Sequence, residues 1–155
     1  AAFVIDMPGE YELSGVSITG VGARAHMDEE GKKTATIYKI EADDSVVVVA
    51  RHVYPELSDD QLEKLGRVDA LVVPVGGFGY TLDGVGALKL IKDIEPKVVV
   101  PTHYADKSLK FEVAQAELAD ALKGVGMEPA DTFDKLKPKA MELSDSTKLI
   151  ILNKQ

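Results

Sequence analysis

Three histidines, His26, His52 and His103, are the side chains in this sequence best suited to hold a transition metal. There is no cysteine, so thiolate metal sites, disulfides and cysteine nucleophiles are excluded. Any metal must rest on His, Asp or Glu. Each histidine follows or interrupts a strand-like run. The apolar run Val98-Val99-Val100 stops at Pro101, and His103 follows. In an open α/β sheet that edge is where ligands and metals collect. His26 comes just before a charged loop, Met27 to Lys33, and His52 comes after Val46 to Val49. Three imidazoles and a water suit zinc. The plainer alternative for each is a hydrogen-bonded loop histidine, and Arg51 beside His52 disfavours a cation there. Asp28, two residues from His26, is either its supporting partner or an exposed loop carboxylate.

A second loop is built like the one at His103. Val72-Val73-Pro74-Val75 is buried strand, and Gly76-Gly77 follow. Glycines let backbone approach a ligand closely, or simply make a tight turn. Thr81-Leu82-Asp83 then opens a helix whose positive end suits an anion. No H-x-H, H-E-x-x-H, nucleophile-elbow, Walker or EF-hand spacing occurs. Glu10 and Glu12 share a strand face and read as an exposed edge.

These loops need strands and helices to position them. Phe3 to Ile5 reads as a short strand. Tyr11–Leu13 and Val16–Val21 make a hairpin about Ser14-Gly15. Thr34–Glu41 and Ser45–Ala50 make another about Asp43-Asp44. Ser58 with Gln61 gives a capping-box helix start, and Gly66 stops that helix. Ala70–Val75 is a strand, Asp83 caps a helix through Ile94, and Val98–Val100 is the next strand. Apolar spacing predicts an amphipathic helix over Phe111 to Val125. Ala140–Leu143 and Leu149–Leu152 read as a closing β-pair. The order implies one α/β domain over residues 1–155, a mixed sheet with helices on one face.

Composition bounds the function. The 155 residues suit one domain, and an apolar fraction of 45% suits a soluble fold. A net charge of −8 argues against nucleic acid and anionic membrane surfaces. No apolar run approaches the roughly 20 residues of a membrane span, and no secretory signal is visible. Lack of cysteine fits a cytoplasmic setting. The sequence starts without Met, so the numbering is expected to begin inside a longer product or after processing.

Several runs taken together resemble the metallo-β-lactamase superfamily: Pro8-Gly9-Glu10-Tyr11-Glu12, Thr36-Ile37-Tyr38, Leu57 to Leu62, Val68 to Gly77, Tyr80 to Asp83 and Pro96 to Tyr104. The branch they look most like is its metal-dependent hydrolases related to ascorbate-phosphate lactonases. The similarity covers most of residues 1–104. It implies an αβ/βα sandwich of two similar halves with a di-metal site, usually zinc, where the halves meet. By resemblance His26 matches a middle histidine ligand and His103 the last one. The family's bridging Asp position falls on His52, and its preceding Gly on Arg51. Gly76, Gly77, Tyr80 and Thr81 match the substrate loop.

Two departures follow from the same resemblance. The H-x-H-x-D-H segment of the first half is absent, so the chain resembles the C-terminal half. A neutral imidazole at position 52 offers one lone pair where a carboxylate would bridge two metals. A single zinc on His26, His52 and His103 is the site the residues allow. The expected function is therefore a metal-dependent hydrolase of unknown substrate, incomplete or degenerate in this chain and inactive alone. The alternative is a non-catalytic association or small-ligand module on the same fold. A half sandwich leaves an apolar sheet face wet, costing about 25 cal/mol per Å². A homodimer or a missing N-terminal half is the expected cover.

Overall fold

A computed structural model describes residues 3–141 and 145–155. Eight strands form one sheet in the order β1-β2-β3-β4-β5-β6-β8-β7. The first half is an antiparallel meander of β1 (Gly9–Leu13), β2 (Val16–Ala23), β3 (Ala35–Ala42) and β4 (Ser45–Val49). Two-residue turns make the β1–β2 and β3–β4 links. Ser14 and Gly15 have φ of 53° and 81°, and Asp43 and Asp44 have 47° and 62°. Two successive positive φ values mark turns whose twist matches the flanking strands.

The second half is parallel. Helix α1 (Asp59–Leu65) links β4 to β5 (Ala70–Pro74), and α2 (Gly84–Ile94) links β5 to β6 (Val98–Thr102). Helix α3 (Leu118–Val125) leads to β7 (Pro129–Phe133), and α4 (Pro138–Met141) precedes β8 (Lys148–Leu152). Ser58 caps α1 with the expected reciprocal bonds to Gln61. Asp83 caps α2 through the Gly86 N–H.

Alternate residues of each strand face opposite sides. On the helix side, Ile37, Val48, Leu71, Val73 and Val99 pack with Leu65, Leu90 and Val125 of the helices in the main core. Gly84 lets α2 and α3 meet backbone to backbone, since a Cβ there would lie 2.2 Å from the Ala121 carbonyl. Asp69 braces the base of the sheet. Its buried carboxylate accepts from the Val46 N–H at 2.8 Å and from Arg67 at 2.6 Å, with Lys97 at 3.3 Å.

The other face is covered unevenly. Ala70, Val98, Val100 and Ile150 form a second small core with Phe133, Leu136 and Met141 from the chain's own C-terminal part. The sequence-based expectation of a wholly wet face therefore fails over β5, β6 and β8. Ile18, Tyr38, Ile40, Val47 and Val49, on the same face of β2 to β4, remain partly exposed. Val47 touches the second core, and among the described residues the N-terminal segment reaches the rest of this patch at Tyr38. Tyr38 donates its hydroxyl to the Ile5 carbonyl at 2.9 Å.

Three other expectations are corrected. Phe3 to Ile5 makes no strand. Residues 111 to 117 are not helical, because backbone bonds to two loops hold them: Ala116 N–H to Gly76 O at 2.9 Å and Ala105 N–H to Ala116 O at 2.8 Å. Tertiary bonding outweighs the helical spacing of the apolar residues. The closing pair is also different. Strand β8 runs parallel between β6 and β7, Ala140 and Met141 belong to α4, and residues 142 and 143 lie outside the described part.

Candidate functional site

Strand direction decides where the histidines fall. Strand β2 is antiparallel to β3, and β3 to β4, so β2 and β4 run the same way as β5 and β6. Their C-terminal ends share one rim, and each histidine follows one of those ends. The segments bearing His26 and His52 are tied by backbone. The His26 N–H donates to the His52 carbonyl at 2.8 Å, and the Tyr54 N–H to the Arg24 carbonyl at 2.9 Å, around an Ala25–Val53 bridge. The Val53 N–H also bonds the Arg51 carbonyl at 2.9 Å, so His52 is the central residue of a three-residue turn. Asp28 braces this strap instead of facing a metal. It accepts from the Ala25 N–H and from the Thr34 hydroxyl, which holds its carboxyl below the usual range.

The His52 and His103 rings lie 4.8 Å apart, edge to face. Tyr80 packs on His52 at 4.7 Å, and Phe111 stands 5.8 Å from His103. His103 has φ of +50°, a backbone state uncommon for a residue with a Cβ. The loop holding it is pinned from below. At Gly76 a Cβ would lie 1.9 Å from Gln115 Oε1 and 2.0 Å from the His103 carbonyl oxygen, so only glycine fits. Gly77 has φ of +69° and donates to the Leu82 carbonyl, closing the Gly76–Leu82 loop. Tyr80 thereby reaches the rim, whereas Thr81 is buried with an unpaired Oγ1.

Both imidazoles at the centre are biased to the neutral form. For His52 burial dominates, then the fields of His103, Arg51 and His26. For His103, exposed as a residue, lost hydration comes first and Arg51 second. Nδ1 of His52 and Nδ1 of His26 are buried and have no hydrogen-bond partner. Unsatisfied ring nitrogens are what a metal needs from histidine. The donor set is nonetheless not closed. Among the described residues no three His, Cys, Asp or Glu side chains are grouped so as to hold an ion. The structure brings His52, His103 and Tyr80 together, draws His26 in through backbone, and sets Gly76 and Gly77 beneath them.

Two clefts flank the pair. One of about 430 Å³ runs between the N-terminal segment and β3, reaching Arg51 and His52. The other, about 470 Å³, lies over β6 and β8 beside His103 and Phe111. The sequence reading missed Phe111 and Arg51 as site residues. Phe111 carries only a helical signal in the sequence, and Arg51 reads there as a deterrent to cations at the family's Gly position.

A family profile described as a β-lactamase superfamily domain matches residues 1–103. A candidate zinc-dependent hydrolase of the metallo-β-lactamase superfamily from Thermotoga maritima superposes with a TM-score of 0.69 at 27% identity. That match covers 96% of this chain and 70% of the other. The chain belongs to the metallo-β-lactamase superfamily. A metallo-hydrolase from the archaeon Ignicoccus hospitalis (TM-score 0.58, 21% identity) and a candidate metal-dependent hydrolase from Parabacteroides distasonis (0.55, 19%) share its fold. Each is matched by 97% of this chain, which spans 57% and 58% of their lengths. The match to this metallo-β-lactamase chain thus covers a little over half of each of those two proteins. No helix of its described residues is long and apolar enough to cross a membrane.

Proposed function

We propose that the chain carries part of the active site of a metal-dependent hydrolase, with His52 and His103 as nitrogen donors to one metal and His26 as the third. The observation that carries this is the edge-to-face imidazole pair on the ligand-binding rim, with buried unpaired Nδ1 atoms on His52 and His26. Zinc fits three imidazoles chemically, and when bound it supplies an acidified water. The residues fit such an ion only in part, because the described side chains do not close around one point. The site in this chain is thus incomplete or degenerate, and the chain alone is expected to be inactive. The chain's own residues supply position. Gly76 fixes the His103 loop, and Tyr80 packs on His52 beside the Gly76–Thr81 substrate loop. Membership of the superfamily and the ascorbate-phosphate lactonase resemblance support a small phosphorylated or lactone-like substrate.

The test is zinc content by elemental analysis after equilibration and desalting, compared with His103→Ala. The expected result is bound zinc that falls in the variant. Unchanged zinc content removes the proposal. Hydrolysis of phosphoester and lactone probes is expected to stay at background for this chain alone.

A second reading is a non-catalytic association or small-ligand module. The imidazole at position 52 and the unclosed donor set favour it. It predicts no stoichiometric metal. In either case the partly exposed Ile18, Tyr38, Ile40, Val47 and Val49 suit cover by a second copy or by a further β-layer. Sedimentation at micromolar concentration tests self-association, and a monomer removes the second-copy option.

A further inference from the structure

The chain has three arginines, and two have partners. Arg24 donates Nε to the Asp28 carbonyl at 2.9 Å and lies 3.8 Å over the Tyr54 ring. Arg67 donates to Asp69 and to the Asp44 carbonyl. Arg51 differs. Its guanidinium makes no hydrogen bond, ion pair or ring contact among the described residues, and the residue is exposed. Yet it stands on the functional rim, next to His52, and lines the cleft of about 430 Å³ that runs to Thr36 and Tyr38. The Thr36 hydroxyl also has no protein partner among the described residues. A single carboxylate, Asp6, lies on that cleft wall. A free guanidinium on this cleft wall is an island of positive charge in a protein of net charge −8. The planar fork of an arginine matches two oxygens of a carboxylate or phosphate at once.

We infer that Arg51 is the anchor of an oxyanion subsite: the ligand's phosphate or carboxylate group binds Arg51 in the cleft beside His52, with the Thr36 hydroxyl as a further donor. This deepens the hydrolase reading by naming the substrate class as small anions, and it rests on that reading only for the location of the site. Asp6 opposes the anion and sets a ceiling on affinity.

The probes are inorganic phosphate and acetate, titrated separately at constant ionic strength into chelator-treated, metal-free protein. The readout is NMR of the arginine Nε–H and histidine Cε1–H groups. Saturable shifts at Arg51 and His52 are expected, with millimolar affinity. The stronger of the two probes names the oxyanion, phosphate or carboxylate. Arg51→Gln is expected to weaken binding at least tenfold, and Lys92→Gln, an equal charge change on α2, to leave it unaltered. Asp6→Asn is expected to tighten it. Non-saturating shifts, equal losses in Arg51→Gln and Lys92→Gln, or binding centred elsewhere would each overturn the inference. No metal is present in this experiment, so its failure leaves the zinc measurement of His103→Ala untouched, and the reverse also holds.

Discussion

Replacing Gly76 by alanine tests whether the rim is held by one close backbone approach. The added Cβ would sit 2.0 Å from the His103 carbonyl oxygen and 1.9 Å from Gln115 Oε1. Gln115 can rotate away, but the His103 carbonyl is backbone and cannot. The two strand-end loops must part by about 1.5 Å to reach ordinary contact. Overpacking of this kind costs about 1–3 kcal/mol. The same movement strains the Ala116–Gly76 and Ala105–Ala116 bonds, of 2.9 and 2.8 Å, each contributing about 1 kcal/mol. The expected loss is about 3 kcal/mol, roughly a hundredfold in the folding equilibrium. A urea titration followed by far-ultraviolet dichroism should show the midpoint fall by about 1.5 M. In folded variant protein the contact between the His52 and His103 rings should also be lost from the NOE spectrum. Gly79→Ala is the control. Gly79 has φ of +75° but nothing within 4 Å, so only the backbone cost of about 1 kcal/mol applies. A Gly76→Ala variant within about 0.5 kcal/mol of the parent, with the ring contact intact, would refute the close-approach argument.

Three further outcomes are expected. Asp69→Ala strands the Val46 N–H in the core and releases Arg67 and Lys97, which are themselves partly exposed; chemical denaturation should show a loss of about 2–3 kcal/mol. His103→Gly removes the cost of φ +50° and should raise the unfolding free energy by up to about 1 kcal/mol while abolishing any histidine-dependent zinc uptake, so a stability loss would show that the ring contributes more than its backbone costs. Because His52 and His103 titrate below the ordinary histidine value of 6.5 in the folded chain, the unfolded chain takes up protons first as pH falls. Their contribution is therefore complete above 6.5 and is lost as pH drops from there through the lowered folded values; a melting temperature of metal-free protein that rose over that interval would contradict the assignment.

How much of this was legible in the sequence varied with how local the signal was. Ser14-Gly15 and Asp43-Asp44 announced their turns because residues tolerant of positive φ sat between alternating strands. The reciprocal Ser58–Gln61 cap was equally local. That His26, His52 and His103 each follow or interrupt a strand-like run was legible too, but that those strand ends share one rim rests on strand directions set by long-range pairing. Residues 111 to 117 misled because their apolar spacing is helical, while the bonds that hold them come from Gly76 and Ala105. Strand β7 went unread because Pro129 to Thr132 are all exposed and show no alternation. The cover over Ala70, Val98 and Val100 depends on Phe133, Leu136 and Met141 folding back, which no periodicity records. The absence of an H-x-H-x-D-H run is read directly from the sequence, but whether donors gather around one point is a three-dimensional fact, and among the described residues no three of them do.

The sheet never closes on itself, so it ends in two raw borders, β1 on one side and β7 on the other. Glu10 and Glu12 are exposed along the first, while Pro129, Asp131 and a register shift interrupt the second. Like charges facing like charges, and a proline with no N–H to offer, make both borders poor templates for another molecule's strand. At neutral pH the chain is thus shielded against fibre-like stacking along its length. Replacing Glu10, Glu12 and Asp131 with uncharged residues would strip away that electrostatic guard, leaving Pro129 and the register shift as obstacles to growth from the β7 border alone.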